Sequence, residues 1–229
     1  MPVRLVACKP GCRKKCCVSD LSIPSPVPEA DLAQAKRAAR SRLLKARRAR
    51  SLDDLEEADG KILRTLCDQL RKHRPQIVAI YQPFGTEPGA HLPRALPDYV
   101  AEATAPVRVL VPIHREDDDL DWRDWTDPHG ARPEKIEQAD LVIVPALAVD
   151  RAGVRLGRGG GSYDRALARV RPGVEVIALL HDGELAHRLP AQSHDQRVTA
   201  VITPTAGMVR LPLAVDVGEG AMPLLALDI

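Results

Sequence analysis

A single three-layer α/β domain, with a mainly parallel sheet flanked by helices and a glycine-rich phosphate loop at the carboxyl ends of its strands, is the fold this sequence predicts. Three observations lead to it. Apolar runs at 77–81, 107–112, 141–145, 174–180 and 197–204 are short and nearly continuous, as strands buried on both faces are. Longer stretches of helical composition precede and separate them. After the third run, glycine fills four of the five positions 157–161, just before a helical start at Ser162. Glycines so close together cost backbone entropy, and a folded chain keeps them where the backbone takes left-handed torsions or comes very near another group. The N–H groups of such a loop, ahead of a helix N-terminus, cradle an anion, and phosphate is the expected occupant; a plain flexible turn is the alternative. Arg155 and Arg158 bracket the loop, and Asp164 is a candidate ligand for a Mg²⁺ carried by a nucleotide. The loop is not a G-x-x-x-x-G-K-[ST] motif, because no lysine follows, and G-x-G-x-x-G breaks at Ser162.

The 229 residues suit one medium domain, and the net charge of +2 gives no bulk attraction to nucleic acid or to a membrane surface. Six aromatics in the chain make a base-stacking platform a poor expectation. Residues 1–28 differ in composition. Cys8, Cys12, Cys16 and Cys17 crowd among Lys9, Arg13, Lys14 and Lys15 and lead into a Pro/Ser run, with neither the apolar core of a secretory signal nor paired C-x₂-C zinc spacing. This segment is expected to be a disordered tail, and the cysteines as a set imply no disulfide framework and a cytoplasmic protein. The domain proper is placed at 29–212, with 213–229 as an extension.

Residues 29–50 read as one basic helix, and Lys36 and Arg40, four apart, project from one face of it. Ser51 is an N-cap for a second helix ending near Pro75. The strand at 77–81 runs into a loop that carries Glu87. Trp122 and Trp125 alternate as on an exposed edge strand, where they either face a flat heterocycle or, as is commoner for tryptophan, pack in the core. Cys67 lies in a helical pattern as a small apolar residue. His194 and Asp195 fall in the loop before the last strand.

The stretch DLVIVPALAVD at 140–150, followed by GVRLGRGGGSYDR at 153–165, resembles the signature of the 5-formyltetrahydrofolate cyclo-ligase family, also called 5,10-methenyltetrahydrofolate synthetases. The resemblance extends over about residues 33–204 and is weakest in 84–135. It implies closure of 5-formyltetrahydrofolate to 5,10-methenyltetrahydrofolate with ATP as co-substrate and Mg²⁺ as cofactor. It also assigns roles. Arg155, Arg158, Tyr163 and Asp164 are the implied catalytic group. Lys36 and Arg40 resemble the family's K-x-x-x-R that meets ATP, joined by Arg155, Gly157, Arg158, Gly159, Gly160, Gly161, Ser162 and Tyr163. Tyr81, Glu87, Trp122, Arg158 and Ser162 are the implied folate contacts, and Asp164 with Asp195 the metal pair. Three departures bear on the folate: Ser162 where family members often carry Tyr, Gly160 where some carry Lys, and Arg132 near a position that usually holds Glu. The residues after Glu87 also depart, as Pro88-Gly-Ala-His91 stands where a threonine is usual. Small molecules are the expected partners, with the chain a monomer or weak homodimer. A folate- or nucleotide-binding paralogue without catalysis stays open, as does an RNA-binding face on the basic helix at Arg42, Arg47 and Arg48.

Overall fold

The computed structural model describes residues 29–103, 107–127, 134–192 and 195–212. The N-terminal cysteine segment, the C-terminal extension, Arg132 and His194 lie outside the described residues. The chain forms α1 (Glu29–Arg48), α2 (Leu52–His73), β1 (Ile77–Ile80), α3 (Leu96–Ala103), β2 (Arg108–His114), β3 (Leu120–Asp124), β4 (Leu141–Pro145), β5 (Ala148–Asp150), β6 (Arg155–Leu156), α4 (Ser162–Leu167), β7 (Glu175–Leu179), β8 (Leu185–Ala186), β9 (Ala200–Thr203) and β10 (Gly207–Arg210).

The main sheet has the order β10-β9-β7-β4-β1-β2-β3. Its five inner strands are parallel, and only β10 and β3 run antiparallel, one at each edge. The strand period of two divides the core. Val78, Ile80, Val109, Val111, Ile143, Ile177 and Ile202 face α2 and α3. Ala79, Leu110, Val142, Val144, Ala178 and Val201 face α4 and the chain around Ile136. Continuous apolar strands and helices on both faces are thus one fact seen twice.

Ser51 caps α2 as expected, its hydroxyl accepting the Asp54 N–H at 3.1 Å, and Arg74 closes the helix in a left-handed turn. Helix α3 and a second, three-stranded sheet of order β6-β5-β8 were not evident in the sequence. Strands of two or three residues carry too little pattern to be read. This small sheet corrects one expectation: the glycine loop follows β6, not the long strand β4. It also gives α1 its place. Ala39 and Leu43 pack on Leu147, Ala148, Val154, Leu156 and Leu189, so α1 covers the small sheet instead of the main one. Among the described residues no helix is long and apolar enough to cross a membrane.

Candidate active site

The carboxyl ends of the central strands open into a cavity of about 650 Å³, within the range of small-molecule sites. Tyr81 after β1, Pro112 and His114 of β2, and Pro145 to Leu147 at the end of β4 form its inner wall. The glycine loop, α1 and the segment holding Gln192 and Asp195 form the rest.

The loop has the torsions its glycines suggest, with φ of +121° at Gly159 and +71° at Gly161. The N–H groups of Arg158, Gly159, Gly160 and Gly161 donate no backbone hydrogen bond among the described residues, so the loop presents donors without internal acceptors. Three arginines fix its shape. Arg40 Nε donates to Gly157 O at 2.9 Å, Arg165 donates to Gly160 O at 3.2 Å and also to Asp118 O, and Arg155 Nη2 reaches Asp164 Oδ1 at 3.0 Å. The Arg155 guanidinium stands 5.8 Å from the centre of the Tyr163 ring. Burial pushes the Tyr163 phenol well above its ordinary range, so it serves as a neutral hydroxyl.

Lys36 comes from α1 into the same space, with Nζ 2.7 Å from Asp195 Oδ2 and 3.0 Å from Gln192 Oε1. Asp164 lies next to this segment, since the Gln196 N–H donates to Asp164 Oδ1 at 3.3 Å. The two carboxylates predicted as a metal pair therefore stand close together, Asp164 in the first turn of α4 and Asp195 on the adjoining loop, each already facing a cation.

Glu87 is buried and takes the Arg158 guanidinium at 2.8 Å, while Arg158 also lies 4.4 Å over the Phe84 ring. The loop holding Glu87 is pinned at three points. Tyr81 Oη donates to Pro88 O at 2.6 Å, and the buried Asp59 carboxylate accepts the Gly89 and His91 N–H groups at 2.7 and 2.8 Å. His181 Nε2 lies 3.0 Å from Thr86 O. A carbonyl accepts, so Nε2 carries the proton. Burial holds the His181 pKa below its ordinary value and keeps the ring neutral.

The 5-formyltetrahydrofolate cyclo-ligase family model matches residues 32–204, most of the chain. The chain belongs to this cyclo-ligase family. A 5-formyltetrahydrofolate cyclo-ligase of Mycolicibacterium smegmatis is 37% identical over 191 residues, covering 75% of this chain and 95% of that protein. A 5,10-methenyltetrahydrofolate synthetase from Mycoplasma pneumoniae has the same fold, with a TM-score of 0.64 at 22% identity over 74% of this chain and 98% of its own. A synthetase of the same kind from Aquifex aeolicus gives 0.64 at 23%, over 80% and 96%.

In this chain the cavity gathers Lys36, Arg40, Tyr81, Glu87, Arg155, Gly157 to Asp164 and Asp195, residues that are far apart in sequence. Two expectations fail. Trp122 is 1% exposed and packs in the core with Leu120 and Ile136, away from the cavity. Strand β3 is an edge strand, as its alternation suggests, but an edge strand has one face on the core, and Trp122 points there. Arg47 is the second. It cannot belong to an exposed RNA-binding face with Arg42 and Arg48, because it is 1% exposed and bonded to Glu184. Arg47, Gln192, His114 and Asp118 line the cavity without having been expected there. For Arg47 a signal existed: it lies seven residues after Arg40, on the same helical stripe.

Proposed function

We propose that this chain closes 5-formyltetrahydrofolate to 5,10-methenyltetrahydrofolate using ATP, with release of ADP and phosphate. One observation carries the reading: in a chain of this family, the glycine loop with its unengaged N–H donors shares a single cavity with Lys36, Arg40, Arg155, Glu87 and Tyr81. The formamide oxygen is a poor leaving group, so the formyl oxygen attacks the γ-phosphorus and ADP departs. N10 then attacks the activated carbon, the C–O bond breaks with loss of phosphate, and the N10 proton goes to solvent. Such chemistry needs cations and N–H donors around the transferred group and little covalent help. The loop amides, Lys36 and Arg40 bind the triphosphate. Arg155 and Arg158 face the charge that develops on the transferred phosphoryl group, and Asp164 orients Arg155 by their 3.0 Å contact. Tyr163, as a neutral hydroxyl, donates a hydrogen bond there. Glu87, held by Arg158 and the pinned loop, accepts from N–H groups of the folate, with Tyr81 behind it; Ser162 leaves the opposite wall open to the ring.

The donor set fits Mg²⁺. Asp164 and Asp195 supply hard oxygens, and Asp164 Oδ2 has no partner among the described residues and is not sealed from the cavity. No group of three His, Cys, Asp or Glu side chains is assembled among the described residues, which suits an ion held mostly by phosphate oxygens and water. Bound there, the ion would neutralise phosphate charge. The proposal extends to a cytoplasmic enzyme, monomeric or weakly dimeric, with small molecules as its partners.

The test is spectrophotometric: purified protein with 5-formyltetrahydrofolate, followed for the methenyl chromophore with and without MgATP. Growth that requires both ATP and Mg²⁺ is expected. ATP binding without chromophore growth would replace the enzyme by a paralogue that binds without catalysing.

A further inference from the structure

Lys36, Arg40, Leu43 and Arg47 form one stripe along α1, and the two ends of this stripe lie about 16 Å apart at 1.5 Å per residue. The first end meets the glycine loop and Asp195. The second end meets the opposite part of the cavity, beside Tyr81 and the Pro145–Leu147 wall. There Arg47 is held by a fork: Nε and Nη2 donate to the two oxygens of Glu184, both at 2.7 Å, and Nη2 also donates to Ala146 O at 2.6 Å. Glu184 is 4% exposed, lies behind Arg47, does not line the cavity, and is itself fixed by the His181 N–H at 2.8 Å. Arg47 does line the cavity, and Nη1 has no hydrogen-bond partner among the described residues. It is also not one of the sealed, unpartnered atoms.

A buried ion pair is a weak source of stability, because desolvation offsets most of the attraction. What this pair achieves is a rigid, pre-oriented N–H donor on an apolar wall. With Glu184 neutralising the guanidinium, the donor suits a neutral acceptor better than a phosphate or a carboxylate. We infer that Arg47 is a specificity-determining residue that donates from Nη1 to a carbonyl oxygen or ring nitrogen of the fused heterocycle of the substrate, with Glu184 as its positioning residue. This rests on the proposed cyclo-ligase reaction, and it distinguishes the heterocycle end of the cavity from the phosphate end.

The experiment uses the full chain and two variants, Arg47→Met and the double Arg47→Met/Glu184→Gln. The double variant removes both charges and keeps an acceptor for the His181 amide, so it remains folded where the single variant, with an unpaired buried carboxylate, is destabilised. Calorimetric titrations with 5-formyltetrahydrofolate and with ATP are paired with steady-state KM values. The double variant should lose about tenfold or more in folate affinity and KM while ATP affinity stays within twofold. The same loss should appear with 5-formyltetrahydropteroate, which lacks the glutamate. Wild-type folate affinity in the folded double variant would overturn the inference and leave the proposed function standing. A loss confined to the glutamate-bearing substrate would also overturn it, by moving the contact to a carboxylate. Wild-type protein that neither binds nor turns over 5-formyltetrahydrofolate would sink both readings together.

Discussion

Lys36→Ala separates what a cation does for the fold from what it does for the nucleotide. Lys36 is tied to Asp195 at 2.7 Å, with the two side chains only 9% and 7% exposed. Removing one partner of a fully enclosed pair costs about 3–5 kcal/mol, since the other charge is left without compensation. Asp195 lines the cavity, so water reaches it once the ammonium is gone, and the expected loss of stability is smaller, about 1–2 kcal/mol. A charge-assisted contact to a phosphate is worth about 1.5–3 kcal/mol net, a factor of roughly 10 to 150 in affinity. Lys36 must loosen its hold on Asp195 and Gln192 to make that contact, which puts the rise in ATP KM near the lower end, about tenfold to thirtyfold. The assay is methenyl formation against ATP concentration, alongside urea unfolding of Lys36→Ala and of Lys36→Ala/Asp195→Asn. The second substitution removes the stranded charge, so it should restore stability and leave the ATP KM high. An ATP KM within twofold of wild type in Lys36→Ala, or its recovery in the double variant, would refute the assignment of Lys36 to the phosphates.

Asp164→Ala releases Arg155 and removes a candidate Mg²⁺ ligand, so methenyl formation should fall at least about a hundredfold while the circular dichroism spectrum is kept. Gly159→Ala places a Cβ on a residue with φ of +121° and 3.4 Å from Arg40 Cζ; strain of about 1–3 kcal/mol should appear in urea unfolding, with the ATP KM rising more than the folate KM. Trp122→Phe should leave the folate KM within twofold, because the ring is enclosed in the core and its Nε1 has no partner among the described residues. His181 stays neutral in the fold where the free imidazole would take a proton. The unfolded state therefore binds more protons below a pH of about 6.5, and stability should drop as the pH falls through that value. Thermal melts from pH 7.5 to 5 should show a shallower drop for His181→Gln, which keeps a donor for Thr86 O; an unchanged slope would count against the buried neutral ring.

The order and type of the long elements were legible because they rest on local physics. The Val- and Ile-rich runs read as strands buried on both faces, the Ser51 hydroxyl with Asp54 three residues on marked a helix start, and the glycines of 157–161 pointed to a backbone with positive φ, found at Gly159 and Gly161. The family signature in 140–165 carried the chemistry. Less was legible where the pattern is short. Strands β5, β6 and β8 hold two or three residues each, below the length at which a period can be seen, and the covering of this small sheet by α1 followed from them unseen.

By itself, then, the sequence determined the α/β class, the glycine loop with its left-handed torsions and the placing of Lys36 and Arg40 on one face of α1, since each depends on neighbours within a few residues. Tertiary structure alone decided which face of each element meets the cavity. It sent Trp122 into the core while setting Arg40 on the glycine loop and Lys36 against Asp195. It also changed Arg47 from a surface charge into a buried fork on Glu184, 137 residues away. A side chain's charge and helical phase are written locally. Whether it ends in water, in the core or against a ligand depends on what the rest of the chain packs beside it, and no local pattern encodes that partner.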